Sequence, residues 1–251
     1  MPLPDSSQWI WPQWRPHPRV RCVVTTRLGR HSPAPWAGFN LGQNCGDDPA
    51  RVELARRHVH KRLAVDHPPA WLEQVHGDRI IQAGDPDSRA DGVWTPQAGW
   101  PCVVLTADCL PVLLARVDGT AVAAVHAGWR GLHAGILARA VETLAPQGQT
   151  LSAWLGPAIS ANAYQVGEDV HRAFVSLGPE YKKAFRRDGK PGHWRFSLAY
   201  AATLTLNAAG VADVSGGDHC TASDPVHFYS YRAEGQTGRF ASLVWLDALD
   251  A

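Results

Sequence analysis

Long apolar runs are missing from this chain: no stretch approaches the roughly 18 consecutive apolar residues that a membrane-spanning helix requires. The segment from Met1 to Pro18 holds Trp9, Trp11, Trp14 and several prolines, with no basic stretch ahead of an apolar run, and does not read as a secretion signal. An excess of charge is missing too. Lys plus Arg number 24 and Asp plus Glu 23, a net charge of +1, so no global basic field exists to hold nucleic acid or an anionic membrane. The local basic cluster, Lys182-Lys183 with Arg186-Arg187, reads as a solvated helix face. Cysteine is sparse. Five cysteines without a C-x-x-C pair argue against a disulfide framework, a zinc ribbon and a thioredoxin-type site. The chain also has no Gly-x-Ser-x-Gly elbow, no Walker A ending, no repeat and no low-complexity tract. These absences leave a cytoplasmic protein as the default, with neither nucleic acid nor membrane as partner.

What is present points to a globular chain. Its 251 residues, 45% of them hydrophobic, suffice for a sizeable core. The eleven tryptophans are expected in the core or in a pocket wall, where some can stack on a planar ligand. Strands are expected at Arg21–Thr26, Trp71–Val75, Arg79–Gln82, Val103–Ala107, Pro111–Arg116, Thr120–Val125, Leu151–Leu155 and Phe240–Leu246. Helices are expected from Asp48-Pro49 to about Leu63, over Leu132–Leu144, Asp169–Leu177 and Ser197–Ala209, the last with a serine cap. Strands and helices mix without strict βαβα alternation. That favours a single α+β domain over residues 1–251 with a mixed sheet, not a doubly wound fold.

Three of the apolar runs stop at residues that bind soft metals: His76 after Trp71–Val75, Asp108-Cys109 after Val103–Ala107, and His126 after Thr120–Val125. A ligand-type residue at one strand end means little, and His76 or Cys109 taken alone reads as a turn histidine or a small buried thiol. Three in succession suggest a site at one rim of a sheet, His76, Cys109 and His126, with a fourth tetrahedral position open as in catalytic zinc centres. Gln74 shares a strand face with His76 and would point to the same rim, leaving Val75 to the core. Asp108 faces away from Cys109 and is expected to bond turn amides. Val125-His126-Ala127-Gly128-Trp129-Arg130-Gly131 is the most specific stretch. A strand, a Gly-bounded turn and a helix would present free N–H groups to an anion, and Arg130 adds a planar cation suited to phosphate or carboxylate. His58 and His60 read as surface residues. His133 lies near the site without a role.

The chain resembles the YfiH-like proteins, described as polyphenol oxidase or laccase-domain proteins and also as purine nucleoside phosphorylases with adenosine deaminase activity. The resemblance covers nearly the whole chain. It rests on Thr25-Thr26-Arg27, Phe39-Asn40-Leu41-Gly42, Gly46-Asp47-Asp48, Gln74-Val75-His76-Gly77, Ala107-Asp108-Cys109, His126-Ala127-Gly128-Trp129-Arg130-Gly131, Leu155-Gly156-Pro157, Phe228-Tyr229-Ser230-Tyr231-Arg232 and Thr237-Gly238-Arg239. It implies a layered mixed-sheet sandwich flanked by helices, distantly similar to cysteine hydrolase toxins. It also implies zinc on His76, Cys109 and His126, with copper as the alternative ion. Arg30-His31 and Ala233 depart from the family pattern, at loop positions that bear on substrate preference.

The resemblance implies phosphorolysis of adenosine, inosine, guanosine and methylthioadenosine, with phosphate as co-substrate. It also implies deamination of adenosine by zinc-activated water. Cys109, His126, His76 and Arg130 are the expected catalytic set; Gln74, Asn40, Arg130 and Arg232 are expected to bind substrate. Two enzymatic rivals stand beside it. One is a thiol amidohydrolase with Cys109 as nucleophile and His126 as base, editing serine-containing muropeptide precursors. The other is a copper polyphenol oxidase, disfavoured because the chain has no usable His-x-His set. A non-enzymatic ligand-sensing role is the last.

Overall fold

Along Leu110–Arg116 and Val122–Ala127, successive side chains leave opposite faces of a sheet, and both faces are apolar, so each must be covered by another layer. The structure, a computed structural model, describes residues 8–248. The expectations for Met1–Pro18 and for one domain over residues 1–251 therefore reach partly outside the described residues.

The strands are β1 (Val20–Val24), β2 (Ile80–Gln82), β3 (Gly92–Thr95), β4 (Cys102–Thr106), β5 (Leu110–Arg116), β6 (Val122–Ala127), β7 (Leu151–Leu155), β8 (Gln165–Gly167), β9 (Phe185–Arg187), β10 (His193–Phe196), β11 (Asp213–Gly216) and β12 (Phe240–Leu246). The helices are α1 (Pro49–Leu63), α2 (Trp129–His133), α3 (Ile136–Leu144), α4 (Glu168–Leu177), α5 (Leu198–Ala208) and α6 (Tyr231–Glu234). The central sheet runs β11-β7-β5-β6-β3-β2. Its outer pairs are parallel and its inner pairs antiparallel, so the sheet is mixed. A second, antiparallel sheet runs β1-β12-β4, and a small third one β8-β10-β9.

Alternation builds the layers. Leu110, Val112, Leu114, Ala123 and Val125 pack under α2 to α5. Leu113, Ala115, Val122 and Ala124, one position out of step, pack instead against Val20, Val104, Phe240 and Val244 of the second sheet. The outer face of that sheet, Val23, Val103 and Leu243, is covered by Ala55 and Val59 of α1 together with Trp9 and Phe39. The result is a helix–sheet–sheet–helix sandwich of the α+β class, as the sequence suggested. Each fully buried Val, Leu or Ile contributes about 1.5–3 kcal/mol through burial. Local signals hold at several ends: Asp48 caps α1 by accepting from Ala50 N (2.9 Å) ahead of Pro49, and Ser197 caps α5 through Tyr200 N (3.2 Å).

Four expectations are corrected. Trp71–Val75 is not a strand: Ala70 makes one bridge to Cys102, and the free edge of β4 is instead satisfied by a side chain. Leu105 N donates to Gln74 Oε1 (2.8 Å) and Gln74 Nε2 donates to Leu105 O (2.9 Å), so an amide does the work of a neighbouring strand. Val75, expected in the core, is consequently 42% exposed. The single helix over Leu132–Leu144 is two, because Gly135 takes a left-handed φ of +93° between α2 and α3. The basic cluster falls on a short 3-10 turn, Pro179–Ala184, and on β9, with its side chains exposed.

His58, expected on the surface, is buried at 6% exposure, edge-on to the rings of His31 and Phe39. His31 Nδ1 and His58 Nε2 are buried and have no hydrogen-bond partner among the described residues. Burial holds both imidazoles below the usual histidine range, and His31, Arg62 and Lys61 push His58 further down. Such a histidine binds fewer protons folded than unfolded. Its neutral form therefore supports stability above the unfolded pKa of about 6.5, and that support is lost as pH falls below it. Unfolding free energy is expected to drop between pH 7 and pH 5, and His31→Val to flatten the drop. Denaturant titrations of both proteins at the two pH values measure this; equal slopes would show that the pair does not matter.

Candidate metal centre and its cavity

One carboxylate assembles much of the site. Asp91, fully buried just ahead of β3, accepts Val75 N (3.1 Å) and Gly77 N (2.7 Å) on Oδ2, and His76 N (2.9 Å) and His126 Nδ1 (2.8 Å) on Oδ1. Its carbonyl also accepts His126 N (2.7 Å). The loop that carries His76, at a left-handed φ of +62°, is thereby folded around Asp91. The same bond fixes the His126 ring, leaving Nε2 as the free donor atom, the familiar support of a metal-ligating histidine. His126 sits within β6, on the face that carries Val122 and Ala124. Cys109 follows Asp108, whose φ of +97° marks a sharp bend between β4 and β5.

His76, Cys109 and His126 place one ligand atom each within 4.8 Å of one another, a grouping unmatched among the described residues. They grade from exposed through half-buried to buried, so the group opens on one side. Gly128 closes another. A Cβ there would lie 3.0 Å from Cys109 Sγ and 3.5 Å from His76 Cδ2. Gly131 lets α2 approach the His76 loop, since its Cβ would stand 2.6 Å from the Gly77 carbonyl oxygen.

Burial alone would raise the Cys109 thiol, but the charge of His126 and hydrogen bonds from both imidazoles outweigh it and bring it down to about 6. Burial alone would lower His126; the Cys109 thiolate and Asp91 outweigh it and lift the imidazole to about 9. Burial also opposes ionisation of Asp91, yet His126 and the loop N–H groups hold its carboxyl low. Two imidazoles and an ionised thiol, with one side open, fit a zinc ion and also suit copper.

The group lies in a cavity of about 890 Å³ whose walls include Trp71, Gln74, Trp129, Arg130, Tyr164 and Arg232. That is at the upper end of small-molecule sites. Arg130 is exposed over the Trp129 ring at 4.5 Å. It is the second residue of α2, which has only five residues, so the Gly turn feeds a short helix and not the long one expected over Leu132–Leu144. Arg232 lies over the Tyr164 ring at 5.1 Å and donates from Nη1 to Gln165 O (2.9 Å). Gln74 faces the cavity with its amide already engaged by Leu105. Asn40 is fully buried behind the wall. Its Oδ1 accepts Gly42 N (2.9 Å) and Arg239 N (2.8 Å) and its Nδ2 donates to Asp47 (2.8 Å), so it holds the strand-end position of Arg239, which does line the cavity. His133 packs on Phe174 in the helix layer, away from the cavity.

Sequence reasoning missed Asp91, Tyr164, Arg56 and Arg239. Asp91 had a legible signal, an acid set between Ala90 and Gly92 at the end of a loop, and Arg239 stood in the Thr237-Gly238-Arg239 motif without a role; Tyr164 and Arg56 carry no local pattern.

The family model described as multi-copper polyphenol oxidoreductase laccase matches residues 21–247. A Pseudomonas aeruginosa protein named purine nucleoside phosphorylase is 47% identical over 242 residues, covering 96% of this chain and 99% of its own. The purine nucleoside phosphorylase YfiH of Escherichia coli K12 is 41% identical over 244 residues, covering 96% and 99%. A crystal structure of a Neisseria meningitidis protein superposes with a TM-score of 0.91 at 39% identity, covering 96% of this chain and 100% of that one. YlmD from Geobacillus stearothermophilus does so at 0.86 and 29%, covering 96% of each. With all three candidate ligands inside the matched span, the chain belongs to the YfiH-like family, whose model carries the multi-copper polyphenol oxidoreductase laccase description.

Proposed function

We propose that this chain is a zinc-dependent purine nucleoside phosphorylase acting on adenosine, inosine, guanosine and methylthioadenosine, with a second, deaminating activity on adenosine. The observation that carries the reading is one cavity joining a His–Cys–His group to a wall of cations and flat rings. Arg56, Arg130, Arg232 and Arg239 all line it. No ion pair with a carboxylate is seen for any of the four among the described residues. Guanidinium groups without a carboxylate partner suit phosphate, and Trp71, Trp129 and Tyr164, each with one of these arginines stacked on it, put aromatic surface for a purine in the same wall. The names of the curated relatives agree with this.

In phosphorolysis the anomeric carbon gains positive charge as the purine leaves, so a phosphate held beside it stabilises the transition state. Arg130, exposed and stacked on Trp129, holds that phosphate. Arg232, braced by Tyr164 and Gln165, holds the nucleoside. Asp91 keeps His126 in one tautomer throughout. A zinc ion on His76, Cys109 and His126 supplies Lewis acidity at this end of the cavity. Five free thiols support action in a reducing, cytoplasmic setting. Zinc-loaded protein incubated with adenosine is expected to give adenine and ribose 1-phosphate when phosphate is added, and inosine whether or not it is. The products are separable by chromatography; absence of all three would end the proposal.

A second reading has its own support: Asp91, His126 and Cys109 stand in series, the order of orienter, base and nucleophile in a thiol hydrolase. It would act on an amide such as a serine-containing muropeptide. Activity of metal-stripped protein, blocked by alkylating Cys109, would favour it. The copper oxidase reading has one three-donor group to work with among the described residues, whereas multi-copper chemistry uses several.

A further inference from the structure

We infer that Asp108 is a positioning residue whose carboxylate fastens the thiol turn to the Ser230–Arg232 segment and thereby sets where Arg232 stands in the cavity wall. The inference deepens the proposed reading, since it takes Cys109 as a metal ligand and Arg232 as a substrate contact.

Asp108 precedes Cys109 and lines the cavity, yet its side chain is buried and its oxygens are occupied. Oδ1 accepts Thr221 Oγ1 (2.6 Å) and Ser230 Oγ (2.7 Å), and Oδ2 accepts Arg232 N (2.6 Å). A buried carboxylate is costly unless such donors surround it. These three come from segments 113 to 124 positions downstream, so they fold onto the thiol turn only in the finished structure. From there the connection continues. Ser230 Oγ accepts Ala233 N (3.3 Å) at the start of α6, the Glu234 carboxylate accepts Ser230 N (3.0 Å), and Arg27 meets Glu234 through two bonds of 3.0 Å. Arg232 is therefore held at its backbone by Asp108 and at its guanidinium by Gln165 and Tyr164. With both oxygens taken, Asp108 is no general base, and it stands outside the His76–Cys109–His126 donor set.

Asp108→Asn tests this. Asparagine matches the size of aspartate and tolerates positive φ as well, so the bend before Cys109 is preserved. One acceptor oxygen becomes a donor: the two hydroxyls can turn to accept from the amide N–H, and Arg232 N–H keeps the amide oxygen, now as a neutral partner in place of a charge-assisted one. In zinc-loaded protein the expected result is a KM for inosine raised about tenfold with kcat changed less than about threefold, the size of a charge-assisted hydrogen bond made neutral. Zinc affinity, measured by chelator competition, stays within about threefold of wild type. Arg232→Gln is expected to give a similar KM, and the double variant no more than the single ones, as residues in one network require. Labelling of arginines by phenylglyoxal, mapped by mass spectrometry, is expected to speed up at Arg232 and not at Arg130. Additive KM effects, unchanged labelling at Arg232, or a zinc loss as large as the KM change would each overturn the inference. The labelling and zinc readouts decide it even if wild-type protein turns over no nucleoside, a result that sinks the proposed function alone. Ser230→Ala, which removes one donor, is read by the same labelling if the asparagine variant does not fold.

Discussion

Cys109→Ala is expected to yield a folded protein that neither holds zinc nor cleaves nucleosides. The thiol is half-buried at the bend ahead of β5, outside the packed layers, so its truncation leaves the sandwich intact. Its loss to the metal is far larger. Structural zinc sites bind with about 10–16 kcal/mol spread over four ligands, which makes each ligand worth roughly a hundred- to a thousandfold in affinity. The lost donor here is also the charged one, and the two imidazoles left behind differ in burial, with His76 exposed and anchored only through its loop. Purified wild-type protein is expected to carry about one zinc per chain, and Cys109→Ala almost none, measured by emission spectroscopy after dialysis. His76→Ala should behave alike. Full zinc content in either variant would show that the donors do not share an ion. Full activity in zinc-free Cys109→Ala would dismiss both the metal and the thiol-nucleophile readings.

Asp91→Ala is expected to weaken zinc about 10- to 100-fold, the usual cost of losing the carboxylate behind a ligating histidine. It should also destabilise the chain by several kcal/mol. Val75, His76 and Gly77 would lose the charged acceptor of their part-buried N–H groups, bonds of about 1.5–3 kcal/mol each where water does not take its place. The two effects come from the same oxygens, and excess zinc separates them: it restores binding by mass action but cannot return the loop's hydrogen bonds. Chelator competition and denaturant midpoints, each taken with and without saturating zinc, give both numbers. A variant of wild-type stability with weakened zinc would mean that the loop is held elsewhere; unaltered zinc affinity would mean that His126 needs no orienting partner.

Both expectations turn on how the donors reach one place. β4, β5 and β6 were legible because their residues are apolar at nearly every position, the pattern of strands buried on both faces. Cys109 and His126 were legible because they interrupt that pattern. His76 was found for a weaker reason, since the run before it never becomes a strand. The competing interaction was Gln74, whose amide pairs with Leu105 and removes the need for backbone pairing at that edge. Asn40 and Gln74 show a related limit. Both read as contacts for substrate from their motifs; the structure shows Asn40 accepting from Arg239 N behind the wall, and Gln74 lining the cavity with its amide paired to Leu105. His58 was misplaced because α1 is polar along much of its length, and only its packing against Phe39 shows which side is covered.

The chain by itself determined the alternation that stacks two sheets between helices, the caps of α1 and α5, and the identity of three soft-metal donors, because each of these is written in neighbouring residues. The tertiary structure alone decided that Asp91 would gather the His76 loop and His126, that Asp108 would gather Thr221, Ser230 and Arg232, and that four arginines would face one cavity. Those bonds join side chains to main chain or to other side chains across 14 to 124 positions. No periodicity encodes them, since a buried carboxylate is satisfied by whatever donors the fold delivers to it.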